Sequence, residues 1–165
     1  MSGRIAEHIT ASLEPVRSVV QAYLADLTDA DLLVRPAAGM NHIAWQLGHL
    51  IASENTHISL VTGSRMPSLP PEFRERHSRA TASEDNAAAF CTKADYLNLM
   101  NEQRLAMLKL LADLSDDELM QPAPESIGYL GATVGCVFAS QSMHWMMHAG
   151  QWAVVRRILG RVPLF

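Results

Sequence analysis

Two of the chain's seven histidines, His144 and His148, stand four residues apart. On an α-helix this spacing puts both imidazoles on one face, about 40° apart around the axis and about 6 Å along it, so one cation can be shared between them. Gln141 and Gln151 lie three residues outside the pair, on nearly the same face. An otherwise apolar segment therefore carries a Gln-His-His-Gln stripe. Facing the interior, such a stripe needs polar partners; it can equally face solvent, or each imidazole can be satisfied by a carbonyl. His49, in WQLGHL, offers a third nitrogen. It sits among Leu47, Leu50 and Ile51, and its neighbour Gly48 permits close approach by another helix or a ligand. Three neutral imidazoles around a divalent ion, with a position left for water or substrate, make a reactive site rather than a closed structural one. Zinc, nickel, copper and iron all accept such ligands.

The remaining candidates read less sharply. His42 lies about 10 Å along the helix from His49 and is expected at its first turn or rim; His57, about 12 Å beyond, belongs near the opposite mouth. His8, His57 and His77 are expected in solvent. Glu54 and Ser53 are close enough in sequence to stand behind the ligands, but Glu54 is read as a surface carboxylate outside the ligand set. Gln141, Gln151 and Trp45 are assigned to the pocket around the ion, with Trp145 and Trp152 in the core or pocket wall. Met143, Met146 and Met147 are read as core packing or a dimer seam. Cys91 and Cys136 fit neither a CxxC pair nor a disulfide framework and are expected as buried free thiols. No G-x-S-x-G, Walker A, G-x-G-x-x-G or H-E-x-x-H motif occurs, and no residue is assigned a catalytic role beyond ligation.

The elements that must position these groups follow a helical period, and no alternating run suggests a strand, so the expected fold is all-α. The first helix is expected from Gly3 to Leu27, kinked or split at Pro15. Pro36 and Gly39 then break the chain, and Asn41 is the expected cap of a second helix, His42 to Thr62. Residues 63–86, rich in Pro, Ser, Thr and Arg, predict a long connection with a short helix near Glu72 to His77, of a kind that crosses over a bundle or covers a site. The third helix opens at Thr92 with a T-x-x-D cap and ends near Asp113; a short helix spans Asp116 to Met120. The fourth runs from Ala132 to Leu159 and stops at Gly160. LTDADL at Leu27 to Leu32 and LSDDEL at Leu114 to Leu119 echo each other, either as two helical hairpins or as repeated cap chemistry.

At 165 residues with 48% apolar content, the chain makes one domain, 1–165, with a substantial core. A net charge of -4 supplies no footprint for nucleic acid. Only 18% of residues are charged, which points to surface covered by a second subunit, a homodimer. Polar residues interrupt both the N-terminus and the apolar stretch 130–159, so neither a signal peptide nor a membrane span is expected, and the cytoplasm is the expected compartment.

NHIAWQLGHLIASEN and HWMMHAGQWAVVRRILGRVPLF resemble the two signature segments of the DinB-like superfamily, related to the YfiT-type proteins. The specific parts are W-x-x-G-H-L and H-x-x-x-H-x-G-Q, and the likeness covers essentially the whole chain. The resemblance implies an up-down-down-up four-helix bundle, often dimeric, with zinc, nickel or iron held by the residues matching His49, His144 and His148. It also implies thiol chemistry, since characterised members include S-transferases and isomerases using low-molecular-weight thiols. The expected function is thus a metal-dependent thiol S-transferase or hydrolase acting on a small molecule. The alternatives are a non-enzymatic metal-binding or stress-response bundle and a metal-free helical interaction module.

Overall fold

The computed structural model describes residues 3–164. Four long helices dominate them: α1 Arg4–Leu24, α2 Ile43–Thr62, α4 Lys93–Asp113 and α6 Val134–Ile158. Two one-turn helices, α3 Phe73–Arg76 and α5 Asp116–Leu119, fall in the connections. No strand occurs among the described residues, and the fold is all-helical.

In α1, Ala6, Ile9, Leu13, Val20 and Leu24 recur at helical spacing and are buried. The expected kink at Pro15 does not break the helix, which runs uninterrupted and ends before Leu27. Pro15 and Ala11, whose carbonyl loses its hydrogen bond to the ring, are both exposed, so water replaces the missing donor. Helix α2 is capped by His42 rather than Asn41. The Trp45 backbone N–H donates to His42 Nδ1 (3.1 Å), which leaves the hydrogen on Nε2 to reach the Glu84 carbonyl (3.1 Å). The imidazole is consequently fully buried, not a rim group.

Capping chemistry also sets the other starts. Thr92 with Asp95, and Ser115 with Glu118, each form reciprocal capping boxes. Thr28 and Asp31 exchange the same two bonds, so the LTDADL and LSDDEL segments share one cap chemistry. Helix α6 begins at Val134 behind the Thr133 hydroxyl and ends in a Schellman turn. There Gly160 takes φ +69° while its N–H and that of Arg161 reach back to the Arg157 and Arg156 carbonyls.

Helix α6 packs on α1 and α2, and α2 and α1 each pack on α4. One apolar cluster gathers Leu24, Leu47, Leu50, Tyr96, Trp145 and Trp152; a second gathers Ile9, Leu13, Ile58, Met107, Val137 and Phe138. Between the helices lies a buried ion pair. Arg104 donates to Glu54 Oε2 (2.7 Å), and the same oxygen accepts from Trp145 Nε1 (2.8 Å). Glu54, expected on the surface, is 2% exposed; its length lets a carboxylate on α2 reach an arginine on α4 that sequence spacing does not pair with it.

The connection 63–92 is held by its own polar side chains. His77, expected in solvent, is 2% exposed. Its Nδ1–H donates to the Phe73 carbonyl and its Nε2 accepts from the Tyr96 hydroxyl, both at 2.7 Å. The ring lies flat on Gly48, where a Cβ would fall 2.1 Å from it. The thiols depart from expectation as well: Cys91 is half-buried and Cys136 exposed.

Gly48→Ala should therefore cost about 1–3 kcal/mol of stability through overpacking. Gly150→Ala, an exposed α6 position with open space for the Cβ, should gain about 0.5–1 kcal/mol. Urea unfolding of the two variants tests the pair, and the reverse order would refute the packing account. Burial also holds His42 and His77 below the ordinary imidazole range. The unfolded chain binds protons at these positions near pH 6.5 while the folded chain does not. Stability should then be fully present above that pH and decline as pH falls toward 5, by up to about 1.4 kcal/mol per pH unit for each neutral ring. Urea midpoints of chelator-treated protein at several pH values measure this; a flat profile contradicts it.

Candidate metal centre

Helix α2 contributes His49 and helix α6 contributes His144 and His148, and one ring nitrogen from each lies within 4.8 Å of the others. Ring centroids are 5.2 Å apart for His49 and His144, 5.6 Å for His49 and His148, and 5.1 Å for His144 and His148. The i, i+4 spacing thus faces the bundle interior and meets the histidine on α2. The sequence stripe is not a solvated one.

Burial is the first cause of depressed basicity at all three rings. His144 is pushed down to about 3, with the His148, His49 and His57 rings adding to the effect. His148 is pushed down to about 4, with His49 adding. His49 moves the same way, helped by His57. Near neutral pH the rings are uncharged, the form that donates a lone pair to a metal.

The orientation of His148 comes from a residue the sequence reading passed over. Gln46 Nε2 donates to the Asn41 carbonyl (2.6 Å) and to Gln151 Oε1 (2.9 Å), so its Oε1 faces the other way. That oxygen accepts from Trp152 Nε1 (2.8 Å) and from His148 Nδ1–H (3.1 Å). The Nε2 of His148 is left as the lone-pair nitrogen. A glutamine inside WQLGHL, one turn before His49, was the available signal: a polar residue in a buried run needs partners.

The other expected pocket residues divide. Trp45 stacks on His49 at 5.0 Å between centroids and 10° between planes, with its Nε1–H donated to the Ser78 carbonyl and the Thr81 hydroxyl. Gln151 accepts from Gln46 Nε2 through its Oε1 (2.9 Å), and Gln46 in turn holds His148. Gln141 spends its amide N–H groups on the Val137 carbonyl (2.8 Å) and Ser140 Oγ (3.3 Å) and aims Oε1 at His57 Nδ1 (3.5 Å).

His57, expected in solvent, is 9% exposed and belongs to the site's surroundings. It lines a cavity of about 420 Å³ together with His49, His144, Ser53, Ser140 and Tyr129. Leu130, Met143 and Met147 close its apolar side. Met143 and Met147 are 67% and 60% exposed, so these methionines rim a pocket instead of packing the core. They follow the histidine stripe around α6, and so share its side of the helix without sharing its depth.

A model of the DinB superfamily matches residues 12–152. A crystal structure described as that of the conserved protein of a locus from Enterococcus faecalis aligns with a TM-score of 0.71, over 94% of this chain and 97% of that one. At 16% identity that likeness concerns the fold alone. A search of the curated proteins finds no match. With His49, His144 and His148 all inside the matched span, the chain belongs to the DinB superfamily.

Proposed function

We propose that His49, His144 and His148 hold one divalent transition metal, zinc, nickel or iron, and that the protein uses it to process a small molecule with a low-molecular-weight thiol or water as nucleophile. The reading is a thiol S-transferase or a hydrolase. One observation carries it: three imidazole nitrogens lie within 4.8 Å of one another, and two of the three rings, His49 and His144, line a cavity of about 420 Å³. The donor set fits such an ion, because three uncharged nitrogens suit zinc, nickel or iron and Gln46 fixes the tautomer of one of them. Bound there, the ion would supply Lewis acidity that makes a thiol or water more acidic. The chain's own residues shape the rest: Trp45 backs His49, and Met143, Met147 and Leu130 offer an apolar wall. The non-enzymatic reading gains nothing from an adjoining cavity of this size.

The wider reading joins these parts. The four long helices form an up-down-down-up bundle, with residues 63–92 as the crossover. Two chains pair, a proposal supported by the exposed Met146, Val154 and Ile158 on α6. No helix among the described residues is long and apolar enough to cross a membrane. The cytoplasm is the proposed compartment, in keeping with two free thiols.

Elemental analysis of protein purified without a histidine tag should find bound transition metal in wild type and loss of it in the His144→Ala, His148→Ala double variant. Metal content indifferent to that change would end the proposal. Turnover of an electrophile with a small thiol should rise and fall with metal content. Gln46→Leu leaves all three ligands in place yet should weaken zinc binding by about 10- to 100-fold, measured by competition with a chromogenic chelator. Unchanged affinity would show that the Gln46 contact does not tune His148.

A further inference from the structure

We propose that His57 is the proton acceptor for the thiol nucleophile, a catalytic base separate from the metal ligands. This rests on the metal-and-thiol reading above and adds a residue to it.

The first observation is place. His57 lines the same cavity as His49 and His144, yet it stands outside the group of nitrogens that approach within 4.8 Å of one another. A ligand bound at the three histidines therefore shares a compartment with an imidazole that the metal does not use.

The second is the tautomer. Because the amide N–H groups of Gln141 are donated to Val137 and Ser140, its oxygen must face His57, and an oxygen without hydrogen can only accept. Nδ1 of His57 then carries the hydrogen. Nε2 carries the lone pair and accepts from the Tyr129 hydroxyl at 3.1 Å. A base whose far nitrogen is held by a carboxamide or carboxylate is the arrangement that orients imidazoles for proton abstraction.

The third is access. Tyr129 is 77% exposed and comes from the short segment Glu125–Leu130, so its hydroxyl can leave Nε2 for water with little burial lost. An incoming S–H takes its place. Burial holds the His57 imidazole below its ordinary range, with Gln141 and Glu54 opposing the shift, so near neutral pH the ring is uncharged and its Nε2 lone pair is available to accept and pass on a proton.

The step is a proton transfer. The S–H bond breaks, its electron pair stays on sulfur, and the proton forms an N–H bond at His57 Nε2. The imidazolium that results keeps its Nδ1–H donated to Gln141.

The rate of thiolate formation tests this without turnover. 2-Mercaptoethanol is mixed with cobalt-loaded full-length protein at pH 7 in a stopped-flow instrument, and the sulfur-to-cobalt charge-transfer band reports the bound thiolate. His57→Gln, at equal cobalt loading, should reach the same final band about 100-fold more slowly, the loss expected for a missing proton acceptor. Equal rates overturn the inference while leaving the metal reading intact. A wild-type protein that takes up no metal overturns the metal reading, and this inference falls with it. Should His57→Gln fail to fold, 15N spectra of the wild-type histidines decide instead: an Nδ1–H tautomer at His57 supports the proposal, and an Nε2–H tautomer sinks it.

Discussion

The site depends on one buried carboxamide oxygen. Gln46 Oε1 accepts from both Trp152 and His148, while the amide nitrogen of Gln46 is spent on Asn41 and Gln151. Both hydrogens and both lone pairs have partners, so rotating the amide would set a donor against two donors in a region that water does not reach. That penalty fixes the tautomer of His148 and hence which nitrogen it has free beside His49 and His144. It also ties α2 to α6 at the level where His49 must meet His144 and His148.

The same economy recurs along α2. Asn55 donates to Gln103 Oε1 and to the Pro67 carbonyl, both at 2.7 Å. Glu54 binds Arg104 and Trp145, and His57 lies against Gln141. Apolar side chains tolerate a slip of packing at modest cost, but each of these buried groups loses its partner if α2 turns relative to its neighbours. Polar contacts thus specify the register, while the two leucine- and tryptophan-rich clusters supply most of the burial. The connection 63–92 obeys the rule too, since His42 Nε2 reaches its Glu84 carbonyl and Nε2 of its own His77 accepts from Tyr96 on α4, while the other nitrogen of each ring is satisfied locally.

Periodicity and capping residues made the long helices legible, because α-helical spacing and caps are local properties. The Thr92 and Ser115 boxes and the Gly160 stop fall where local chemistry puts them. The i, i+4 pair and a histidine set beside Gly48 in an apolar run made the three-histidine group legible as well. Illegible were the residues whose partners come from afar in sequence. Glu54 finds Arg104 fifty positions away, and His57 meets Gln141 eighty-four positions away. Read singly, each looks like an ordinary surface group; only the fold supplies the partner that makes burial affordable. Gln46 was missed for the same reason, although a glutamine amid Trp45, Leu47 and Leu50 already announced an unmet need for hydrogen bonds. Of the two places expected for the methionines, core packing is excluded by their exposure, for a helix face continues past the core to the rim of a pocket.

Charge accounting gives the site its character. Three rings are kept neutral by burial, and the carboxylate nearest to them in sequence, Glu54, is committed to a guanidinium and an indole. Among the described residues, no acidic side chain belongs to the group of metal-capable atoms. A divalent cation seated on the three nitrogens would accordingly keep its full double charge, and in surroundings of low polarity that charge acts strongly on whatever else binds beside it. Anionic sulfur or oxygen is the species such a field selects. A carboxylate ligand in place of one imidazole would weaken that selection, so in the proposed site the all-histidine donor set would itself be part of how the cavity discriminates.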